Sequence, residues 1–138
     1  NTIDLEVFLE QQLIADELGC RPDRLIYGGR SMGGRICSMA VAAGMPAAGL
    51  VLLSYPLHPP KKPDKLRVEH FADISVPCLF VSGSNAPFGC PDEFNQHLMQ
   101  INGRVEAKYL EGGGHDPKTQ DHVAAIVQAV NKWVISVA

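Results

Sequence analysis

The stretch that decides the fold is Leu25-Ile26-Tyr27-Gly28-Gly29-Arg30-Ser31-Met32-Gly33-Gly34. It opens with bulky apolar residues, which are typical of a buried strand, and the segment 32–43 that follows has a helical composition. Between them lies the pattern G-x-S-x-G, centred on Ser31. A strand entering this pattern and a helix leaving it predict a nucleophile elbow, a tight turn that lifts a serine hydroxyl above a sheet. Glycines flank the serine because the turn brings the surrounding backbone into close approach.

Apolar runs on both sides of this turn predict alternating strands and helices. Strands are expected at residues 25–27, 50–53, 78–81 and 105–110, and helices at 5–18, 32–43, 91–102 and 121–137. This order predicts the α/β class, a parallel sheet with helices on both faces, in a single domain over residues 1–138. The proline-rich segment 55–64 fits neither element and is predicted to be an ordered surface loop over the strand ends.

Composition limits the function classes. The chain has 138 residues and a net charge of −3, which gives no broad positive field for nucleic acid or anionic membranes. No apolar run approaches the length of a membrane span, and the first residues lack the basic and hydrophobic regions of a secretion signal. The cysteines lack metal-ligand spacing and predict reduced thiols in a cytoplasmic protein. We expect no metal and no other cofactor, because the nucleotide-binding glycine patterns are also missing from the sequence.

A serine nucleophile needs a base from another strand end on the same edge of the sheet. His115 fits this requirement because it follows the last predicted strand in the segment Glu111-Gly112-Gly113-Gly114-His115-Asp116. Its three preceding glycines allow the chain to bend back over the strand edge. The other histidines have no comparable placement. We therefore predict Ser31 and His115 as the catalytic pair, and the backbone N–H of Met32 as the oxyanion donor.

The chain resembles the α/β-hydrolases, and specifically the dienelactone-hydrolase-like branch. That branch includes the hydrolase-fold subunit of the nonspecific-lethal histone acetyltransferase complex and its bacterial relatives. The resemblance covers nearly the whole chain, and its segments are GGRSMGGR (28–35), SYPLHPP (54–60), KLRVEHF (65–71), PCLFVSGSNAPFG (77–89) and EGGGHD (111–116). It implies an α/β-hydrolase fold in which Ser31 is the nucleophile and His115 the general base.

The chain departs from this family at the acid. The family has an aspartate after the third strand in a pattern like G-x-x-D-P-F-G, and Ala86 occupies that position here. Losing the acid from a related triad costs about four orders of magnitude in turnover. Asn85 could orient His115 without supplying charge, and Asp92 and Asp116 are alternative acids with poor predicted geometry.

Length is the second departure. Domains of this kind usually run to about 200 residues, with several strands and an oxyanion loop before the elbow. Here the elbow serine is already residue 31 and the first residue is Asn1, so we expect the C-terminal portion of a longer hydrolase with a partial fold. The strand at 25–27 then forms an apolar edge, which predicts self-association or pairing with a preceding segment.

Two functions from different classes follow. The first is a serine hydrolase that acts on a small carboxylic ester or related acyl substrate, with an impaired acid position at Ala86. The second is a non-catalytic hydrolase-fold interaction module. Arg30 and Arg35 flank the elbow, and each is expected to pair with a carboxylate or carbonyl more readily than with an acidic substrate.

Overall fold

The fold is a four-stranded parallel sheet between layers of helices. The strands are β1 (Ile26–Arg30), β2 (Gly49–Leu53), β3 (Cys78–Gly83) and β4 (Val105–Leu110), and the helices are α1 (Thr2–Leu18), α2 (Met32–Ala42), α3 (Pro91–Leu98) and α4 (Gln120–Val137). The structure is a computed structural model that describes the backbone of residues 2–137 and the side chains of residues 9–137. The strands lie in chain order, β1-β2-β3-β4, and each neighbouring pair is parallel. The predicted α/β class is confirmed.

The two inner strands are buried on both faces, as their continuous apolar sequences require. Alternate side chains of β2 and β3 point to opposite faces. One set packs with α2 and α3, and the other set packs with α4 around Trp133. The first set includes Leu50, Leu52 and Phe80, and the second includes Val51, Leu79 and Val81. The sheet therefore has a hydrophobic core on each side.

Within residues 9–18 of helix α1, the buried face differs from the apolar one. Ala15 and Gln11 are buried, and the Gln11 side chain donates a hydrogen bond to the Pro46 carbonyl. Leu13 and Leu18 are 68% and 67% exposed, although helical spacing puts them on one apolar stripe. The stripe consists of Leu5, Phe8, Leu9, Leu13, Ile14 and Leu18. The stripe residues Leu5 and Phe8 lie outside the described side chains. None of the helices that the structure describes is long and apolar enough to cross a bilayer.

The proline-rich segment after β2 is only partly a surface loop. Its prediction is wrong for the first half, because Tyr55, Leu57 and His58 are 2%, 0% and 4% exposed. The Tyr55 ring packs edge-on against Phe80 of β3, and its hydroxyl donates to the Arg67 carbonyl at 2.8 Å. The start of the segment is therefore buried, because its side chains pack into the core, while residues 60–65 are exposed. The loop thus forms part of the core at the carboxyl end of the sheet.

Candidate active site

Ser31 occupies a strained turn between β1 and α2. Its backbone has φ 53° and ψ −123°. This conformation is energetically unfavourable for any residue that has a side chain. The Ser31 N–H donates to the Leu53 carbonyl at 2.8 Å, which fixes the turn on the end of β2. A Cβ at Gly29 would lie 2.4 Å from the backbone nitrogen of Gly34, so Gly29 is required by direct contact. A Cβ at Gly33, the glycine on the other side of the serine, would meet nothing within 4 Å. The predicted tight turn is present.

His115 follows β4, which lies at the opposite lateral edge of the sheet from the strand that precedes Ser31. Its loop leaves the outer strand β4 and crosses the end of β3, where Gly113 packs directly on Gly83. A Cβ at Gly83 would lie 2.2 Å from the Gly113 carbonyl oxygen. The Ser84 N–H donates to the Leu110 carbonyl at 2.9 Å, and the Asn85 N–H donates to the Gly113 carbonyl at 2.8 Å. The glycines therefore allow the loop to lie flat across the neighbouring strand.

These two loops bring Ser31 and His115 together. The Ser31 Oγ atom lies 3.0 Å from the His115 Nε2 atom, although the residues are 84 positions apart in the chain. This separation lies within the range required between a nucleophile and its general base. The pair can transfer the hydroxyl proton to the imidazole if Nε2 is unprotonated, which requires the ring proton to be on Nδ1.

The Nδ1 atom of His115 is buried and has no hydrogen-bond partner among the described residues. Neither tautomer of the neutral ring is therefore selected by a hydrogen bond at this nitrogen. Asn85 and Asp92 have exposed side chains. The Asp116 carboxylate instead contacts Arg30 at 2.7 Å and Lys118 at 3.3 Å. The three alternatives considered for the missing acid thus leave Nδ1 unpaired, with alanine at position 86.

The charges around the imidazole favour its neutral form. Burial lowers the pKa of His115 below its ordinary value, the Arg30 guanidinium lowers it further, and the nearby Asp116 carboxylate opposes them. The pKa of Asp116 is also lowered, because hydrogen bonds from Lys118 and Arg30 outweigh the opposing effect of desolvation. Arg30 pairs with a carboxylate as expected, and the lowered pKa of His115 favours the neutral imidazole at neutral pH.

Met32 is the first residue of α2, so its backbone N–H has no acceptor within the helix. It follows Ser31 directly, at the positive end of the helix dipole. This amide is suited to stabilise an oxyanion that forms beside the serine hydroxyl. The Met32 side chain is 61% exposed, so the approach to this end of the helix is open.

One neighbour of this pair, Phe88, and a residue that bonds to the Phe88 backbone, His58, were missed by the sequence analysis. The Phe88 ring lies against the His115 imidazole, with ring centroids 4.2 Å apart. His58 is buried and lies 2.8 Å from the Glu93 carboxylate, measured from Nε2 to Oε2. Both Phe88 and His58 fall in segments that carry the family resemblance, which was the signal available. Their contacts join distant parts of the chain and cannot be found from local periodicity.

A second serine–histidine pair is structural. The Ser38 Oγ atom lies 2.8 Å from the His70 Nε2 atom, but Ser38 is fully buried and its hydroxyl donates to the Arg35 carbonyl. The hydroxyl proton is therefore already used, and no substrate can reach the oxygen. Among residues 9–137, no group of three or more His, Cys, Asp or Glu side chains is arranged to hold a metal ion.

A family model described as an alpha/beta hydrolase domain matches residues 7–135. The chain belongs to the α/β-hydrolase family. The sheet, the turn at Ser31 and the late histidine all agree with this assignment, which was predicted from the sequence. The finer placement in the dienelactone-hydrolase-like branch stays a prediction.

Several solved structures have a similar fold. The chain is 18% identical to Arabidopsis thaliana SOBER1, covering 94% of this chain and 64% of that one, with a TM-score of 0.57. It is 13% identical to Thermogutta terrifontis esterase 2, covering 99% and 63%, with a TM-score of 0.70. It is 13% identical to the monoacylglycerol lipase of Paleococcus ferrophilus, covering 98% and 76%, with a TM-score of 0.75. This α/β-hydrolase chain therefore spans slightly less than two thirds of the length of SOBER1 and of esterase 2.

Proposed function

We propose that this chain carries the nucleophile and base of a serine hydrolase that acts on a small carboxylic ester or related acyl compound. The observation that supports this most directly is the 3.0 Å separation between Ser31 Oγ and His115 Nε2. The strained backbone of Ser31 and the free amide of Met32 add to it. The dienelactone-hydrolase-like placement and a cytoplasmic location belong to the same proposal.

The reaction uses two acyl-transfer steps. The Ser31 oxygen attacks the ester carbonyl while His115 Nε2 takes the hydroxyl proton, and the Met32 N–H donates to the oxyanion. The tetrahedral intermediate collapses as the imidazolium returns the proton to the leaving alcohol, which leaves an acyl-serine. Water then attacks the acyl group, with His115 again as the base, and releases the carboxylic acid and the free serine.

The unpaired Nδ1 of His115 limits this chemistry. In a complete triad a carboxylate accepts the Nδ1–H bond, holds the required tautomer and stabilises the imidazolium. Ala86 supplies no such group, so we propose a reduced rate of hydrolysis. The same observation supports the alternative function, a non-catalytic interaction module with the α/β-hydrolase fold.

A fluorophosphonate probe distinguishes the two functions. We expect intact mass and peptide mapping of the labelled full-length protein to place one phosphonyl group on Ser31, and Ser31→Ala to abolish labelling. Ser38→Ala is the matched control, because Ser38 also contacts a histidine but is fully buried. It should keep the label. A folded wild-type protein that stays unlabelled would rule out the hydrolase and support the interaction module.

A further inference from the structure

We propose that the Phe88 ring positions the His115 imidazole toward Ser31, and that an ion pair between His58 and Glu93 holds Phe88 in place. This inference rests on the proposed role of His115 as the base. In a complete triad a carboxylate orients the histidine ring, and here we infer that packing against Phe88 orients it instead. Phe88 and the pair behind it are thus positioning residues, since none of them exchanges a proton with Ser31.

Phe88 makes a close contact with the imidazole. The ring centroids of Phe88 and His115 are 4.2 Å apart and the planes meet at 39°. The outer torsion of a histidine side chain is broad, so the ring turns unless its neighbours prevent it. Only Nε2 of His115 has a hydrogen-bond partner among the described residues. The aromatic contact therefore supplies an orienting surface that the hydrogen bonds do not.

The backbone around Phe88 is held on both sides. Its carbonyl accepts a hydrogen bond from the His58 N–H at 3.1 Å, which joins the loop after β3 to the loop after β2. The next residue, Gly89, has φ 153° and packs closely against Leu57 and Phe94. A Cβ there would lie 2.9 Å from the Phe94 ring and 3.1 Å from Leu57 Cβ. Phe88 is thus carried by a segment with little room to move.

His58 faces only acceptors. Its Nδ1 lies 2.7 Å from the Pro59 carbonyl oxygen, and its Nε2 lies 2.8 Å from the Glu93 Oε2 atom. Burial lowers the pKa of His58, but the Pro59 carbonyl and the Glu93 carboxylate raise it by more, so the pKa lies above its ordinary value and the imidazolium cation is favoured. The Nε2 contact has the distance of an ion pair, although the N–H does not point directly at the oxygen.

Glu93 completes the connection to the segment that carries Phe88. Its other carboxylate oxygen, Oε1, accepts a hydrogen bond from the Cys90 N–H at 3.0 Å, at the start of α3. One carboxylate thus binds the buried His58 of the loop after β2 and the backbone two residues beyond Phe88. Removing its charge leaves the buried cation of His58 without a counterion and loosens both loops where they meet.

The first test replaces Phe88 and follows hydrolysis of p-nitrophenyl acetate. We expect Phe88→Ala to lower kcat by about tenfold to a hundredfold with little change in KM, because a small displacement of the base costs rate rather than ground-state binding. Phe88→Tyr keeps the ring and should restore kcat to within about threefold. A rise in KM at constant kcat would overturn the inference, since it would make Phe88 a substrate contact.

The second test separates the ion pair from general charge effects. We expect Glu93→Gln to lower kcat in the same direction, while Asp92→Asn, which removes the same charge from an exposed neighbour, leaves it unchanged. In the Phe88→Ala background, Glu93→Gln should have no further effect on kcat, because its effect passes through Phe88. Full additivity of the two substitutions would contradict this connection.

A third measurement does not depend on turnover. Imidazole NMR signals of His115, assigned with His115→Gln, report the orientation of the ring even if the wild-type protein fails to react with the fluorophosphonate. We expect Phe88→Ala to shift or split these signals and Phe88→Tyr to preserve them, with thermal unfolding showing that each variant is folded. Unchanged His115 signals in folded Phe88→Ala would refute the positioning role, whereas missing wild-type labelling alone would refute only the proposed function.

Discussion

Replacing Ala86 by aspartate is expected to raise the rate of hydrolysis. Ala86 lies in the loop that contacts the histidine loop on both sides of it, through the Asn85 N–H bond to Gly113 and through the ring contact between Phe88 and His115. A carboxylate introduced there would accept the hydrogen bond that the buried Nδ1 now lacks. This would favour the tautomer that leaves Nε2 free to take the serine proton.

The size of the gain follows from the unpaired nitrogen. Leaving a buried donor unsatisfied costs about 1–3 kcal/mol, and a hydrogen bond to a charged group contributes about 1.5–3 kcal/mol. Since about 1.4 kcal/mol corresponds to a factor of ten in rate, Ala86→Asp should raise kcat/KM roughly tenfold to a hundredfold. The upper limit is the factor of about 10⁴ that an acid contributes in a related triad.

The assay is hydrolysis of p-nitrophenyl acetate as a function of pH, with Ala86→Asn as the control of similar shape and no charge. The reaction needs neutral His115, so activity falls as the pH drops below the pKa of this residue. A nearby carboxylate raises that pKa, and Ala86→Asp should therefore move the acid limb to higher pH while it raises the plateau. If folded Ala86→Asp matched Ala86→Asn in both plateau and acid limb, the assignment of position 86 to the acid would be wrong.

Two further predictions concern the surroundings of the pair. Arg30→Gln removes a cation that lowers the pKa of His115 and frees the Asp116 carboxylate, so the acid limb of fluorophosphonate labelling should move to higher pH; a shift to lower pH would contradict this electrostatic account. Gly29→Ala places a Cβ 2.4 Å from backbone nitrogen in the first turn of α2 and should destabilise the protein by about 1–3 kcal/mol or more in urea unfolding. Gly33→Ala, whose Cβ meets nothing within 4 Å, should change the free energy of unfolding by less than about 1 kcal/mol, and equal losses in the two variants would refute the close-approach explanation.

The layered fold could be predicted because its signals are local. Apolar runs marked the buried strands, and each strand and helix lies near its expected position. Two ends differ. β1 continues through Gly28 and Gly29 to Arg30, since Gly29 allows close approach to α2 rather than ending the strand. α3 ends at Leu98. Ile101 follows Phe94 and Leu98 at helical spacing and so predicted a longer helix, but it is buried just after the turn that ends α3.

The contact between Ser31 and His115 was predictable for a different reason. Parallel strands end at one edge of a sheet, so residues that follow two strands are brought to the same rim. This rule places Ser31 and His115 but gives no information on side-chain packing between loops. Phe88 and His58 lie in loops whose contacts depend on the assembled core. The face of α1 was also beyond prediction, because helical spacing identifies an apolar stripe without showing which side of the helix the neighbouring elements cover.

The order of the strands determines when, during synthesis and folding, Ser31 can meet His115. Ser31 follows β1 and His115 follows β4, the two outermost strands of the described sheet, which lie roughly 14 Å apart at about 4.8 Å per strand spacing. A ribosome synthesises the serine 84 residues before the histidine. The hydroxyl therefore acquires its base only after the last strand has docked and its loop has crossed β3. Under the proposed function, the newly synthesised serine therefore has no base until all four described strands have assembled.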